Sequence, residues 1–295
     1  MHQTGQIYRP PSEAGVQRLE VTIGCSHNKC SFCTMYRKTP FRIAPLEDVE
    51  ADLKELRDSG EKITRIYLTN GDPFVLNTER LMKIADMVRQ YLPEVEVLTC
   101  YASIQNLKAK SLEELKLLKS AGYDELYVGL ESAYAPAVKL INKGFTVEEA
   151  YENIGKLKEA GMRYTALLMM GIGGKGHSKE NVEATADLLN KYPPYRVSAL
   201  STAVLHGSEL EELCNKGEYE QLTERELVEE EKMLLRALKI DDCIFFGSHP
   251  YNLITINGVL PQDREKIIAH LDLEMAAWDR DQPGFLDTVW ERTDM

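Results

Sequence analysis

The chain has 295 residues, 43% of them hydrophobic, and a net charge of −12, which suits a globular protein within the length of one α/β barrel. The acidic balance argues against a chain that holds tRNA or DNA and favours a small-molecule or peptide substrate. No apolar stretch approaches the length of a membrane span, and the polar segment Met1–Arg18 lacks a signal-peptide core, so a cytoplasmic protein with no membrane partner is expected.

The elements follow in a regular alternation. A first strand, Arg18–Ile23, runs into Gly24-Cys25-Ser26-His27-Asn28-Lys29-Cys30-Ser31-Phe32-Cys33. A helical stretch, Leu46–Ser59, leads to the strand Arg65–Thr69 and the turn Asn70-Gly71-Asp72-Pro73. In the next helix, Thr78–Leu92, Leu81, Ile84, Ala85 and Val88 line one face. The strand Val95–Cys100 and the helix Ser111–Ala121 come next, then the strand Glu125–Leu130, which ends at Glu131-Ser132. Lys143 precedes the helix Thr146–Ala160; the strand Tyr164–Met170 opens on the glycine-rich Gly171–Gly176. The helix Ser178–Lys191 and a sixth strand, Arg196–Leu205, complete the alternation.

Helix boundaries support this parse. Ser111 with Glu114, and Thr146 with Glu149, have capping-box spacing, and Gly60, Gly122 and Gly161 stand at helix ends. Six strand–helix units imply parallel strands joined by right-handed crossovers, in a barrel or an open doubly wound sheet. From Glu209 the rhythm changes. Helices over Glu209–Gly217, Thr223–Leu238 and Gln262–Arg280 surround a short apolar run, Cys243–Phe246, and the turn-rich segment Gly247–Gly258. The expected organisation is a core over residues 1–208 and a C-terminal extension, 209–295, packed on it and not independent.

Three of the six cysteines lie within nine residues as C-x4-C-x2-C. Disulfides suit a small secreted chain; this chain is not small and is not expected to be secreted, so clustered thiolates read as metal ligands. Three soft thiolates on one loop can hold three irons of a 4Fe–4S cluster and leave the fourth iron open to a chelating small molecule. A structural zinc site wants four ligands; a second C-x2-C pair is missing and His27 sits awkwardly inside the loop. A zinc-stabilised α/β barrel enzyme and a non-catalytic iron–sulfur electron carrier stand as the alternatives, and no auxiliary cluster is expected. Gly171–Gly176 matches G-x-G-x-x-G, but it follows the fifth strand instead of opening the first βαβ unit.

With these residues in view, the chain resembles the radical S-adenosylmethionine (SAM) superfamily, in the branch of oxygen-independent coproporphyrinogen oxidases and Elongator-type domains. The family's loop is commonly C-x3-C-x2-C with an aromatic before the last cysteine; Phe32 takes that place, and one extra residue separates Cys25 from Cys30. The resemblance implies a partial (β/α)6 TIM-like barrel with one 4Fe–4S cluster on Cys25, Cys30 and Cys33. Asn70, Gly71, Asp72 and Pro73 resemble the segment that binds the amino group of SAM. By the same match Glu131 meets its ribose or amino-acid part, and Ser132 and Lys143 its carboxylate. Gly171 and Gly173 let the backbone approach the adenine, and Val204 and Leu205 line its pocket. A ferredoxin or flavodoxin supplies an electron, SAM is cleaved to a 5′-deoxyadenosyl radical, and the radical abstracts hydrogen from the substrate. Such an oxidoreductase or lyase is oxygen-sensitive. The substrate and the catalytic residues that meet it stay unknown. Cys243 and Tyr251, in a segment that could close the bottom of the barrel, are speculative hydrogen donors, and Cys100 either packs or faces the cavity.

Overall fold

The computed structural model describes residues 1–292. Its strands are β1 (Gln17–Glu20), β2 (Thr22–Ile23), β3 (Arg42–Ile43), β4 (Arg65–Thr69), β5 (Val97–Ala102), β6 (Leu126–Glu131), β7 (Tyr164–Met170), β8 (Arg196–Ser201), β9 (Cys243–Gly247) and β10 (Ile256–Leu260). The helices are α1 (Leu46–Asp58), α2 (Thr78–Tyr91), α3 (Ile104–Lys108), α4 (Leu112–Ser120), α5 (Ala135–Leu140), α6 (Val147–Glu159), α7 (Ser178–Lys191), α8 (Glu209–Asn215), α9 (Glu224–Ala237) and α10 (Arg264–Asp281). Eight strands form one mostly parallel sheet in the order β1-β4-β5-β6-β7-β8-β9-β10, and β2 and β3 pair separately. This is an α/β fold. All six expected strands are present, and β9 and β10 extend the sheet.

By contacts the chain divides into two compact units: Met1–Asn28, Met35–Gly129 and Glu152–Tyr164 make the first; Lys29–Thr34, Leu130–Tyr151 and Thr165 onward make the second. In the first, the buried core includes Leu19, Leu53, Ile66, Leu68, Leu81 and Ile84. Strand side chains alternate between faces, and Tyr67, Tyr101 and Tyr127 pack edge to face with centroids 6.0–6.3 Å apart. Cys100, adjacent to Tyr101, therefore points to the opposite face. It is fully buried, it lies two residues inside the strand end, and burial pushes its thiol pKa up. Arg65, at the start of β4, is held by Glu13 and Glu125, each at 2.6 Å.

The first expected strand breaks in two. Gln17–Glu20 pair in parallel with β4, whereas Thr22 and Ile23 leave the sheet to pair with Ile43 and Arg42. The sixth expected strand stops at Ser201, because the Asn252 side chain accepts the Ser201 N–H at 2.7 Å and takes the place of a ladder partner. β10 begins inside the segment read as turn-rich, Gly247–Gly258, and its antiparallel pairing with β9 supplies the hydrogen bonds. Both capping boxes form, at Ser111 with Glu114 and at Thr146 with Glu149.

In the second unit α9 buries carboxyl groups along with its leucines: Glu224, Leu227, Glu230, Glu231 and Leu234 are all inside. Burial pushes the Glu231 pKa from 4.5 up to about 8. The folded state then keeps a proton that the unfolded chain releases, so the contribution of this group to stability is full below pH 4.5 and is lost as pH rises towards about 8. Glu231→Gln, which stays neutral, is expected to flatten that decline in a series of thermal melts across the window.

Candidate functional site

Chemistry in parallel α/β folds gathers where strands end at their carboxyl termini. In the first unit β4 is followed directly by Asn70, a non-glycine residue with φ +79°. Holding a side chain in that left-handed region costs on the order of 1–3 kcal/mol and persists where surroundings enforce it. They do here. Asn70 is fully buried and donates from Nδ2 to the Thr22 carbonyl at 2.7 Å, while its Oδ1 finds no hydrogen-bond partner among the described residues. Gly71 N–H donates to the Gly24 carbonyl at 3.0 Å, which draws the start of the cysteine loop against this turn.

Gly71 has no room for a side chain: a Cβ there meets the Tyr36 ring at 2.7 Å and the Cys25 Cβ at 2.9 Å. Asp72 is nearly buried and accepts a short hydrogen bond from the Ser26 hydroxyl. Cys25 thus sits beside a turn of carbonyls, an orphaned amide oxygen and a carboxylate. Gly71→Ala is expected to push the two apart at about 1–3 kcal/mol, the usual range for overpacking. The check is a lowered Tm together with reduced iron uptake on reconstitution.

In the second unit β6 ends on Glu131, again in the left-handed region with φ +62°. Its carboxylate is 2.6 Å from Lys143 Nζ, and both side chains are largely buried. The ammonium also stands 5.6 Å over the Phe32 ring. Burial opposes the charge on Lys143, yet Glu131, Cys30 and Cys33 together hold its pKa above the ordinary lysine value. Lys143 is thus a largely buried cation that interacts electrostatically with Cys30 and Cys33. Ser31 fastens this part of the loop, its N–H donating to the Ile141 carbonyl at 2.9 Å and its hydroxyl to the Leu140 carbonyl at 3.2 Å.

Ser132 is fully buried, and its hydroxyl donates to Asn181 Oδ1 at 2.6 Å. Gly171 follows β7 with φ +83°, and a Cβ there meets Leu227 at 2.6 Å, so only glycine fits. Gly173 lies close to Asn181 and, with Tyr134, Leu140, Gly174, His177 and Tyr219, lines a cavity of about 250 Å³. Val204 and Phe32 pack against the same apolar cluster of Ile141, Met169, Ile172 and Leu210, while Leu205 is buried in the turn after β8.

β9 runs parallel to β8, so the loop behind it, with His249, Tyr251 and Asn252, emerges at the carboxyl ends of these strands and not at the opposite end. Cys243 opens β9 and Tyr251 follows its far end, so the two speculative hydrogen donors lie at opposite ends of one strand. The Cys243 thiol is buried and donates weakly to the Ile244 carbonyl. All six cysteines are free thiols, and those of the loop are half-buried. Among the described residues, no three Cys, His, Asp or Glu side chains are grouped closely enough to hold a metal ion. The donor chemistry, three soft thiols on one loop with a buried cation near two of them, fits an iron–sulfur cluster.

Several contributors escaped the sequence reading: Ser26 and Tyr36 at the first turn, and Asn181, Tyr219 and Glu230 around the second. Glu230 carried one usable signal. It sits three residues after Leu227 and four before Leu234, in register with the buried stripe of α9.

Comparison with known proteins brings these observations together. A family profile described as the radical SAM superfamily matches residues 19–189, more than half of the chain. An uncharacterised protein of Methanocaldococcus jannaschii is 25% identical over 220 residues, 71% of this chain and 67% of that protein. The heme chaperone HemW of Bacillus subtilis is 28% identical over 111 residues, 37% of this chain and 29% of its own length. Among solved structures, an N-terminally truncated archaeal Elp3 from Methanocaldococcus infernus superposes with a TM-score of 0.54 at 17% identity, over 90% of this chain and 63% of that one. At that identity the likeness establishes the fold alone. The chain spans less than two thirds of the HemW and Elp3 chains that it matches.

Proposed function

Because the chain belongs to the radical SAM superfamily, with a 4Fe–4S cluster and SAM as its cofactors, we propose that it is an enzyme that abstracts hydrogen from a small-molecule or peptide substrate. When bound, the two cofactors supply reductive cleavage of SAM and, from it, a 5′-deoxyadenosyl radical. The observation that carries this reading is the packing of Cys25 against Gly71, which fixes a cluster thiol beside a turn of polar acceptors.

In this reading Cys25, Cys30 and Cys33 hold three irons. The acceptors of Asn70–Pro73 suit an ammonium group, since its protons need carbonyl and carboxylate oxygens. Lys143, kept charged by Glu131, balances negative charge at the thiolates and attracts a carboxylate. By the family match Gly171 and Gly173 lie next to the adenine with Val204 and Leu205 as apolar lining, although Leu227 and Asn181 already occupy the space beside these two glycines. Residues 1–208 form the core of the machinery and 209–295 an extension that serves it. A ferredoxin or flavodoxin is the reductant we expect.

The test is anaerobic reconstitution with iron and sulfide, then dithionite and SAM, with 5′-deoxyadenosine as the readout. Its formation supports the assignment. A cluster that forms without any cleavage supports an electron carrier instead, and uptake of zinc alone overturns the reading.

A further inference from the structure

The turn after β7 is held from a part of the chain beyond the stretch that matches the family. Gly171 N–H donates to Glu230 Oε1 at 2.8 Å, and its carbonyl accepts the Tyr219 hydroxyl at 2.8 Å. Leu227 fills the space where its side chain would be. The same Glu230 oxygen accepts from Asn181 Nδ2 at 2.9 Å, Asn181 Oδ1 accepts the Ser132 hydroxyl at 2.6 Å, and Ser132 Oγ accepts the Tyr134 N–H at 2.8 Å. One carboxyl on α9 therefore ties the turn after β7 to the turn after β6, and Tyr134, Gly173 and Tyr219 of those segments line one cavity.

We propose that Glu230 is a positioning residue for SAM: it holds Gly171 and, through Asn181, Ser132 in the relative placement that the cofactor requires. The inference rests on the radical SAM reading and goes beyond it, because it assigns the C-terminal segment a part in cofactor binding. Its physical basis is that a buried carboxyl is costly unless it is hydrogen-bonded, and the bonds that Oε1 accepts come from the turn after β7 and from Asn181 of α7, which in turn holds Ser132, and not from α9 itself. Burial pushes the Glu230 pKa up against the opposing effect of bonds from Ser178, Gly171 and Asn181. One oxygen, Oε1, accepts both N–H groups, so an amide oxygen in its place is a close mimic.

The experiment uses cluster-reconstituted full-length protein without reductant and measures binding of S-adenosylhomocysteine by calorimetry, beside the Tm and the visible absorbance of the cluster. Glu230→Met is expected to weaken binding by about tenfold or more, the scale seen when a group supporting a ligand contact is lost, with cluster content unchanged. Glu230→Gln, which keeps an acceptor for both N–H groups, is expected to bind within about threefold of wild type on the same scale. Should the methionine variant fail to fold, Asn181→Ala cuts only the arm to Ser132, and weaker binding is again expected. Wild-type affinity in a folded Glu230→Met or Asn181→Ala variant overturns the proposal. So does a Glu230→Gln variant as weak as the methionine one. If wild type itself does not bind the probe, it is the SAM reading that fails.

Discussion

Cys30→Ala is expected to abolish the iron–sulfur cluster and with it SAM cleavage, while Cys100→Ala and Cys243→Ala keep both. The contrast follows from placement. Cys30 lies on the half-buried loop, where the charge on Lys143 is supported by Glu131, Cys30 and Cys33. A neighbouring cation favours the thiolate, the form that binds metal. Cys100 is sealed in the first unit with its pKa pushed up by burial, and Cys243 is sealed in β9. Losing even an outer partner of a metal ligand costs about 10–100-fold, so losing a ligand is expected to cost more than about 100-fold. Iron and sulfide content per chain, visible absorbance and 5′-deoxyadenosine yield measure it together. A Cys30→Ala protein with a full cluster, or a Cys100→Ala protein without one, would show that the ligand set is wrong.

The second large effect concerns stability. Arg292 and Glu224 form a double hydrogen-bonded pair at 2.7 and 2.9 Å, with side-chain exposures of 2% and 1%. The arginine also donates to the Tyr251 carbonyl at 2.6 Å, and the Trp290 N–H donates to Glu224 at 3.1 Å. Removing one partner leaves the other charge buried and unpaired, which costs about 3–5 kcal/mol. Arg292→Met is therefore expected to lower the Tm by on the order of 10 °C. Replacing both, as Glu224→Gln with Arg292→Met, is expected to recover much of that loss, because no uncompensated charge remains. Thermal melts of the two single variants and the double variant decide the matter. An Arg292→Met protein as stable as wild type would mean that the pair is not closed in solution.

The two glutamates at 224 and 230 show how the tertiary context changes a residue's meaning. Both belong to a helix whose sequence is crowded with acids, and charge of that density ordinarily reads as a solvated face. One is neutralised by an arginine 68 residues away and the other is committed to the turn after β7. Neither partner has any local signature. Lys143 and Glu131 are nearer in sequence, yet their contact depends on the left-handed backbone at Glu131, which strand periodicity does not encode.

By itself the sequence determined the α/β alternation, the helix ends and the three-cysteine loop. Those properties are local: hydrophobic period selects strand or helix, capping boxes act over three residues, and C-x4-C-x2-C places three thiols on one loop. The resemblance to the family singled out Asn70–Pro73 and Gly171, and Glu131 was also marked by its place at a strand's carboxyl end. Only the tertiary structure decided which partner each of these residues takes. Cys25 meets Gly71, Ser132 meets Asn181, Gly171 meets Glu230 and Asn252 ends β8 across separations of 46 to 59 residues. Periodicity tells a side chain which face it occupies, whereas its partner is set by how distant segments pack, and that information is spread over the whole chain.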